Sequence, residues 1–445
     1  MMGDFEIRLN ELPEPNPDGI VQLGMDLDNV VFTKVLRDNI TDTSLRVPVA
    51  PLAFWFAENW WRLRWETKPS LDPEFWPDDW LMAHKMASIG EGHAWPNLTI
   101  WGGDKSVYFV SRSGPTGIGG PVYFLTNALT YTAADQFETE VQGFLHKALE
   151  LAPAGDLRDD LAEFLYVLNQ ERADPAIAQW RRLEATSGFN PDKAPEATIE
   201  RLCDLEREFG AGNVSDAVAG APGAEAASIL DTALAEVSRA PIANFSDAAS
   251  KVNLRQHISA ESPWQMGEFA ARKVRDLNQI DSNRPIRNKL LSDLCQVSAH
   301  TLKGRYKLEP KLPYAICKSR DNGSSHVLLN ARYTQDRRFQ LARALGDAAW
   351  TNDARMATLS NATTERQQYQ RAFAASLLCP EIGLREFLDG STNSDEDIAA
   401  ASRHFHVNEK TVRTVMVNKG MIGRHRLSFS QYEDTGREDA VEAAA

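Results

Sequence analysis

Two adjacent segments between Arg337 and Pro380 constrain the fold of this chain more than any other feature. The first, RRFQLARALGDAAW, repeats apolar residues at helical spacing: Phe339, Ala342, Leu345 and Ala349. The second, ERQQYQRAFAASLLCP, does the same with Tyr369, Phe373, Ala374, Leu377 and Leu378. Apolar residues three and four apart form one face of a helix, and such a face is buried against another element. The two segments therefore predict a pair of packed core helices.

These two segments resemble the ImmA/IrrE family of metallopeptidase domains. Members of that family have the pattern R-F-x-L-A-H-E-L-G-H, followed by a helix of the form E-x-x-A-N-x-F-A-A-x-L-L-x-P. The matching positions are Arg338, Phe339, Leu341, Ala342, Leu345 and Gly346, then Phe373, Ala374, Ala375, Leu377, Leu378 and Pro380. The resemblance covers about residues 250–425 and is strongest over 337–380. It implies a zincin-like C-terminal domain.

The metal-binding positions of the family are replaced in this chain. In the family, two histidines four apart bind zinc from one helix face, and the glutamate beside the first histidine is the general base. Carried over residue by residue, the histidine positions hold Arg343 and Asp347, the base position holds Ala344, and the third ligand position holds Gln367. Arginine has no lone pair for a metal, and alanine accepts no proton. The resemblance thus implies a degenerate site with no catalytic residue, metal or cofactor.

The replacements also have an interpretation that involves no function. Arg343 and Asp347 are four residues apart and carry opposite charges. Such a pair on an exposed helix face stabilises a helix by a few tenths of a kcal/mol. On this alternative interpretation, the two residues form an i,i+4 ion pair on an exposed helix face.

Length and composition limit the class of protein. A chain of 445 residues with 43% hydrophobic residues is long enough for two to four globular domains. The net charge of −14 argues against a surface that broadly coats nucleic acid or membrane. Four widely spaced cysteines indicate neither a disulfide framework nor a zinc knuckle. Because no signal peptide or long apolar run is found, we expect a bacterial cytoplasmic protein with no membrane partner.

The predicted fold class is α+β, mostly helical, in several parts. Residues 1–125 are expected to form a small Trp-rich α/β domain, 126–210 a helical bundle, 211–240 a linker, 241–426 the ImmA/IrrE-like domain, and 427–445 an acidic disordered tail. Eight of the eleven tryptophans lie at or before Trp101, interleaved with Arg62 and Arg64. Such residues form either a packed core or a surface on which bases stack, and we favour the core.

Residues 394–426 predict a helix-turn-helix-like pair. The first helix places Ile398, Ala401 and Phe405 inward, a turn follows at 406–408, and the second helix places Val412 and Val415 inward. Basic residues cluster here on an otherwise acidic chain, which is typical of phosphate contact. The candidate nucleic-acid-binding residues are Arg403, Asn408, Lys410, Arg413, Lys419, Arg424 and Arg426. The alternative is that the pair only packs against its own domain.

Two classes of function are open on the sequence alone. The favoured one is a non-catalytic, pseudo-metallopeptidase-like binding protein whose partner is a protein regulator or DNA. Active members of the family cleave helix-turn-helix repressors, so the resemblance implies transcription regulation in a stress, mobile-element or phage-defence setting. The alternative is an enzyme. It is either a zinc-dependent endopeptidase of ImmA/IrrE type with ligands such as Glu365, Asp347 and His326, or an unrelated activity in the Trp-rich region.

Overall fold

The chain forms two compact units of mixed α+β structure. The computed structural model describes residues 3–12, 18–70, 73–115, 122–249, 252, 262–303, 311–350, 355–423 and 426–427. The first unit comprises Met1–Ser228 with Ala362–Glu365, and the second comprises Ile229–Asn361 with Arg366–Ala445. Within the described ranges, no helix combines the length and the apolar composition that crossing a membrane requires.

Small antiparallel sheets make up the β structure of the first unit. Its strands are β1 (Phe5–Glu11), β2 (Ile20–Leu27), β3 (Val30–Val31), β4 (Val35–Arg37), β5 (Ile40–Asp42), β6 (Leu45–Pro48), β7 (Leu98–Gly102), β8 (Ser106–Ser111), β9 (Gly114–Pro115), β10 (Tyr123–Phe124) and β11 (Ala128–Ala133). They are ordered β1-β2-β3 with β6 also paired to β2, β5-β4-β10-β9, and β11-β8-β7. The residues of β7 and β8 are almost all buried, so this hairpin lies in the core.

The helices of the first unit pack onto these sheets. They are α1 (Val49–Glu58), α2 (Trp60–Trp65), α3 (Asp78–His84), α4 (Ala134–Leu151), α5 (Asp156–Ala173), α6 (Pro175–Thr186), α7 (Glu196–Phe209) and α8 (Ala211–Gly220), with 3₁₀ turns at Pro73–Phe75 and Met86–Ile89. On α4, Phe137 stacks on Phe5 with ring centroids 6.0 Å apart, and Phe144 meets Phe56 at 5.4 Å. All four rings lie in one hydrophobic core, whereas the sequence predicted a domain boundary between residues 125 and 126.

Most tryptophans of the first unit are core residues, as favoured from the sequence. Six of them are at most 6% exposed: Trp55, Trp60, Trp61, Trp80, Trp95 and Trp101. The arginines between them are also buried, and each has a counter-ion. Arg62 pairs with Glu66 at 2.5 Å, and Arg64 pairs with Glu138 at 2.6 Å. These indoles and guanidinium groups therefore do not form a surface on which bases stack.

Residues 211–240 are helical, whereas the sequence predicted a linker. Helix α8 buries Val214, Ala217 and Val218, and α9 (Ala226–Val237) buries Leu230, Ala233 and Val237. Small side chains suit close helix packing as well as a flexible linker, so composition alone did not separate the two. The division between the units falls within α9, after Ser228.

The second unit surrounds the two helices that the sequence singled out. Its remaining helices are α10 (Ser246–Ala249), α11 (Pro263–Leu277), α12 (Asn288–Leu294), α13 (Thr334–Trp350), α14 (Glu365–Leu378), α15 (Glu381–Phe387), α16 (Asp395–Phe405) and α17 (Glu409–Asn418), with a 3₁₀ turn at Ala299–Leu302. Its strands β12 (Ile242–Ala243), β13 (Ala315–Ser319), β14 (Ser325–Leu328) and β15 (Met356–Leu359) form an antiparallel sheet ordered β12-β14-β13-β15.

The predicted core helices are confirmed as α13 and α14. Leu341 and Leu345 of α13 and Phe373 and Leu377 of α14 are each fully buried in one hydrophobic core. The acidic tail predicted for 427–445 lies outside the described residues beyond Leu427.

Candidate functional site

The four positions that the resemblance implies to be a degenerate metal site lie side by side on α13 and α14. Arg343, Ala344 and Asp347 belong to α13, and Gln367 belongs to α14. Arg343 Nη2 donates a hydrogen bond to Gln367 Oε1, so these two residues are in direct contact. Each of the four residues is at most 4% exposed, and Ala344 contributes only a methyl group. The structure therefore brings together the four positions that the resemblance identified.

A second glutamine on α14 connects Arg343 to Asp347. Arg343 Nη2 donates to Gln370 Oε1 at 3.0 Å, and Gln370 Nε2 donates to Asp347 Oδ1 at 2.7 Å. Gln367 Nε2 donates to the carbonyl oxygen of Thr358 at 2.9 Å. An amide side chain is both donor and acceptor, so it can bridge a guanidinium group and a carboxylate. Arg343, Asp347, Arg366, Gln367 and Gln370 are called the Arg–Gln network below.

Asp347 forms its ion pair with Arg366. Arg366 Nε lies 2.6 Å from Oδ1 of Asp347, and Nη2 lies 2.7 Å from Oδ2, which is bidentate geometry. The two side chains are only 10% and 4% exposed. The alternative interpretation as an exposed Arg343–Asp347 pair does not hold, because both side chains are buried and the carboxylate pairs with a different arginine.

Sequence reasoning missed Arg366 and Gln370. Gln370 lies three residues after Gln367, and this spacing places both amides on one helix face. That signal is visible in the sequence. The pairing of Arg366 with Asp347 is not, because it depends on how closely α13 and α14 approach each other.

The Arg–Gln network does not fit a zinc ion. Zinc sites use cysteine, histidine and carboxylate ligands, and the network contains a single carboxylate that is already in a bidentate ion pair. The alternative ligands are not brought together, since Glu365 Oε1 accepts the Lys105 N–H at 3.3 Å and His326 Nδ1 lies 2.9 Å from the Ala240 carbonyl oxygen. Across the described residues, no group of three or more His, Cys, Asp or Glu side chains is arranged to hold a metal ion.

Gly346 sets the distance between α13 and α14. A Cβ added there would lie 2.6 Å from Cδ1 of Phe373, and Phe373 is fully buried. Gly346→Ala is expected to lower the free energy of unfolding by about 1–2 kcal/mol, since overpacking outweighs the gain in helix propensity. Urea denaturation measures the change. Gly143→Ala on α4 is the control, because no atom lies within 4 Å of its added Cβ. If Gly346→Ala were no more destabilising than Gly143→Ala, the close approach of α13 and α14 would be contradicted.

Arg338 links α13 to the C-terminal helix pair. It is 1% exposed, its Nε donates to the carbonyl oxygen of His406 at 3.0 Å, and its Nη1 donates to Asn288 Oδ1 at 2.6 Å. Burial lowers the pKa of Arg338 to about 10, so the group stays charged at neutral pH. His406 ends α16 with a φ of 55°. The turn between α16 and α17 is thereby attached to the core of the second unit.

The predicted helix-turn-helix-like pair is present as α16 and α17, but the second helix is largely buried. Its buried residues are Thr411, Val412, Arg413, Val415, Met416 and Val417. The exposed residues of α17 are Glu409, Lys410 and Asn418. A recognition helix reaches base edges through an exposed face that lies in the major groove. Helix α17 offers little surface of this kind.

Three of the candidate nucleic-acid-binding residues form ion pairs within the second unit. Arg413 Nη1 lies 3.1 Å from Asp395 Oδ1, and Arg426 Nη2 lies 2.7 Å from the same oxygen. Lys419 Nζ lies 2.7 Å from Glu268 Oε2. Neighbouring carboxylates therefore neutralise much of the basic cluster that the sequence shows.

The other four candidates differ in their surroundings. Asn408 caps α17, because its Oδ1 accepts the N–H of Thr411 at 2.7 Å. Arg403 and Lys410 are exposed. Arg424 lies outside the described residues. Only Arg403 and Lys410 among the described candidates thus present an exposed cation on the helix pair.

Helices α13 and α14 share one hydrophobic core and the largely buried Arg–Gln network. Comparison of the chain with protein-family models, with curated proteins and with solved structures finds no match.

Proposed function

We propose that this chain is a non-catalytic, pseudo-metallopeptidase-like protein that binds a protein partner on an ImmA/IrrE-type scaffold. The Arg–Gln network is the observation that supports this proposal most directly. Zinc-dependent peptide hydrolysis needs a zinc ion held by three protein ligands, an open fourth coordination position and a general base. The corresponding positions hold a guanidinium group, an ion-paired carboxylate, an amide and a methyl group.

A protein fits as the partner better than DNA does. The chain carries a net charge of −14, and α17 exposes few residues. Phosphate binding depends on uncompensated cations, whereas Arg413, Lys419 and Arg426 are paired with carboxylates. In line with the resemblance, we propose a helix-turn-helix regulator of stress, mobile-element or phage-defence genes as the partner.

Metal content and proteolysis test the absence of catalysis. The purified protein is expected to contain far less than one zinc per chain by elemental analysis, because the network supplies only one carboxylate ligand. It is also expected to leave casein and purified helix-turn-helix repressors uncut, with or without added zinc. Stoichiometric zinc that is removed by a chelator together with proteolysis, and lost again in Asp347→Asn, would contradict the proposal.

Titration with a labelled DNA duplex tests the choice of partner. We expect weak binding, because the exposed cations on the helix pair are few. Tight binding that falls steeply with salt, and is lost in Arg403→Ala/Lys410→Ala, would replace the protein partner by DNA. Both substitutions lie on exposed positions, so folding is retained.

A further inference from the structure

Two neighbouring depressions lie along α5 in the first unit. One, of about 630 Å³, is lined by Phe54, Trp55, Met82 and Leu157, among others. The other, of about 370 Å³, is lined by Trp61, Phe164, Val167 and Leu168, among others. Glu58, the last residue of α1, lines both. The two depressions therefore form one groove, called the α5 groove below.

One flank of α5 exposes apolar residues in this groove. The helix buries Leu161, Leu165 and Leu168 against the core. Leu157, Phe164 and Val167 are 49%, 38% and 50% exposed. At about 100° per residue, these three lie on the same side of the buried stripe. Clustered exposed apolar residues on a protein surface mark an interaction site.

Carboxylates without counter-ions surround the apolar surface. Glu58, Asp160 and Glu163 line the groove, and none of them forms an ion pair with another described residue. Two further acids in the second depression, Glu171 and Asp192, are already paired with Arg181 at 2.7 and 2.8 Å. Partial burial raises the pKa of Glu58, which is the response of a carboxylate that lacks a nearby cation. Arg62, which also lines the first depression, is paired with Glu66 at 2.5 Å, so the groove has apolar walls and an uncompensated negative rim.

We propose that the α5 groove binds a basic amphipathic helix of a partner protein. Leu157 and Phe164 are seven residues apart on α5, a rise of about 10 Å. A helix lying along α5 would therefore place two apolar side chains about seven residues apart into the two depressions, the spacing of helix-in-groove recognition. Lysine or arginine beside these anchors would meet Glu58, Asp160 and Glu163, and this complementarity favours the encounter. The inference rests on the proposed function only in taking the partner to be a protein.

A second copy of the chain fits the groove poorly. A symmetric dimer places the same surface on both sides of the interface. Two α5 grooves facing each other would bring uncompensated carboxylates together, and like charges across an interface cost several kcal/mol. The net charge of −14 adds to this repulsion. The occupant is therefore a different protein with a positively charged helix.

Fluorescence anisotropy with a synthetic peptide tests this inference on the full chain. The probe is a fluorescein-labelled helical peptide of about five turns, built of lysine, alanine and leucine, with the leucines on one face. We expect a micromolar Kd that weakens with salt. Asp160→Lys/Glu163→Lys is expected to weaken binding at least about tenfold, and Val167→Ser is expected to weaken it at unchanged charge.

Matched controls separate a specific groove from general charge attraction. Glu196→Lys/Glu200→Lys makes the same charge change on exposed positions of α7 and is expected to change the Kd by less than about twofold. A peptide of equal composition with leucines spread around the helix is expected to bind more weakly. Equal losses in the two double variants, equal binding of the two peptides, or no binding at all would overturn the inference.

Different results would contradict the proposed function and the proposal for the α5 groove. Zinc-dependent cleavage would remove the proposed function and leave the peptide result intact. Absence of peptide binding, in a protein that neither holds zinc nor cleaves, would remove the α5 groove as a docking site and leave the proposed function standing.

Discussion

Asp347→Ala is expected to destabilise the second unit by about 3–5 kcal/mol, because it leaves a buried guanidinium group without its counter-ion. The Asp347 carboxylate is 4% exposed and accepts two hydrogen bonds from Arg366. It also accepts a hydrogen bond from Gln370 Nε2 at 2.7 Å, so this amide would lose one of its acceptors as well. Urea denaturation gives the free-energy change, and hydrogen exchange in α13 and α14 shows where protection is lost.

Two further variants identify the cause of that loss. Asp347→Leu/Arg366→Met removes both charges and is expected to recover much of the stability, because apolar groups of similar size replace a buried ion pair at little cost. Asp204→Ala breaks an exposed pair with Arg207, whose side chain is 74% exposed, and is expected to change stability by less than about 1 kcal/mol. If Asp347→Ala were as mild as Asp204→Ala, the Arg–Gln network would not contribute as described.

Glu66→Gln is expected to destabilise the first unit by about 3 kcal/mol at neutral pH, since two buried groups lose a charged acceptor. Glu66 Oε2 lies 2.5 Å from Arg62 Nε and 2.9 Å from His84 Nε2. His84 is fully buried, and its Nδ1 lies 2.7 Å from the carbonyl oxygen of Ile100. Trp80 stacks on the His84 ring at 4.1 Å, so tryptophan fluorescence during urea denaturation reports on this region.

The destabilisation caused by Glu66→Gln is expected to depend on pH. Burial by itself would raise the pKa of Glu66, but the hydrogen bonds and charges of His84 and Arg62 outweigh it and lower the pKa below its ordinary value of 4.5. A lowered pKa in the folded state stabilises the fold fully above the unfolded pKa, and this contribution is lost as the pH falls through the folded pKa. The stability difference between the native chain and Glu66→Gln is therefore expected to shrink below about pH 4.5. A difference that stays constant into stronger acid would rule out Glu66 as the charged acceptor.

Helical periodicity was informative where each helix buries a single apolar face. The faces of α13, α14 and α16 follow directly from their apolar spacing, and the structure buries the same residues except Phe339, which is partly buried. Small residues were misleading, because α8 and α9 use them for close packing where the sequence predicted a linker. Basic residues were misleading for a different reason, since a positive cluster in the sequence contains no information about its counter-ions.

The α5 groove is a second feature that the sequence predicts only in part. The spacing of Leu161, Leu165 and Leu168 indicates which face of α5 is buried. It does not show that Phe164 and Val167 stay exposed beside Glu58, because that depends on where α1 lies against α5. The candidate docking surface is therefore a product of the packing of two helices that are distant in the sequence.

The sequence by itself determined the core faces of α13 and α14 and the side chains at positions 343, 344, 347 and 367, which do not form the His-Glu-His pattern of a zinc site. These are local properties, fixed by helical spacing and by the donor atoms of each side chain. Only the tertiary structure decided that Asp347 pairs with Arg366, that Arg413 and Lys419 are neutralised, and that Glu58 faces α5 without a cation. Pairing and burial depend on which elements come within a few ångströms of each other, and that approach is set by the packing of the whole unit.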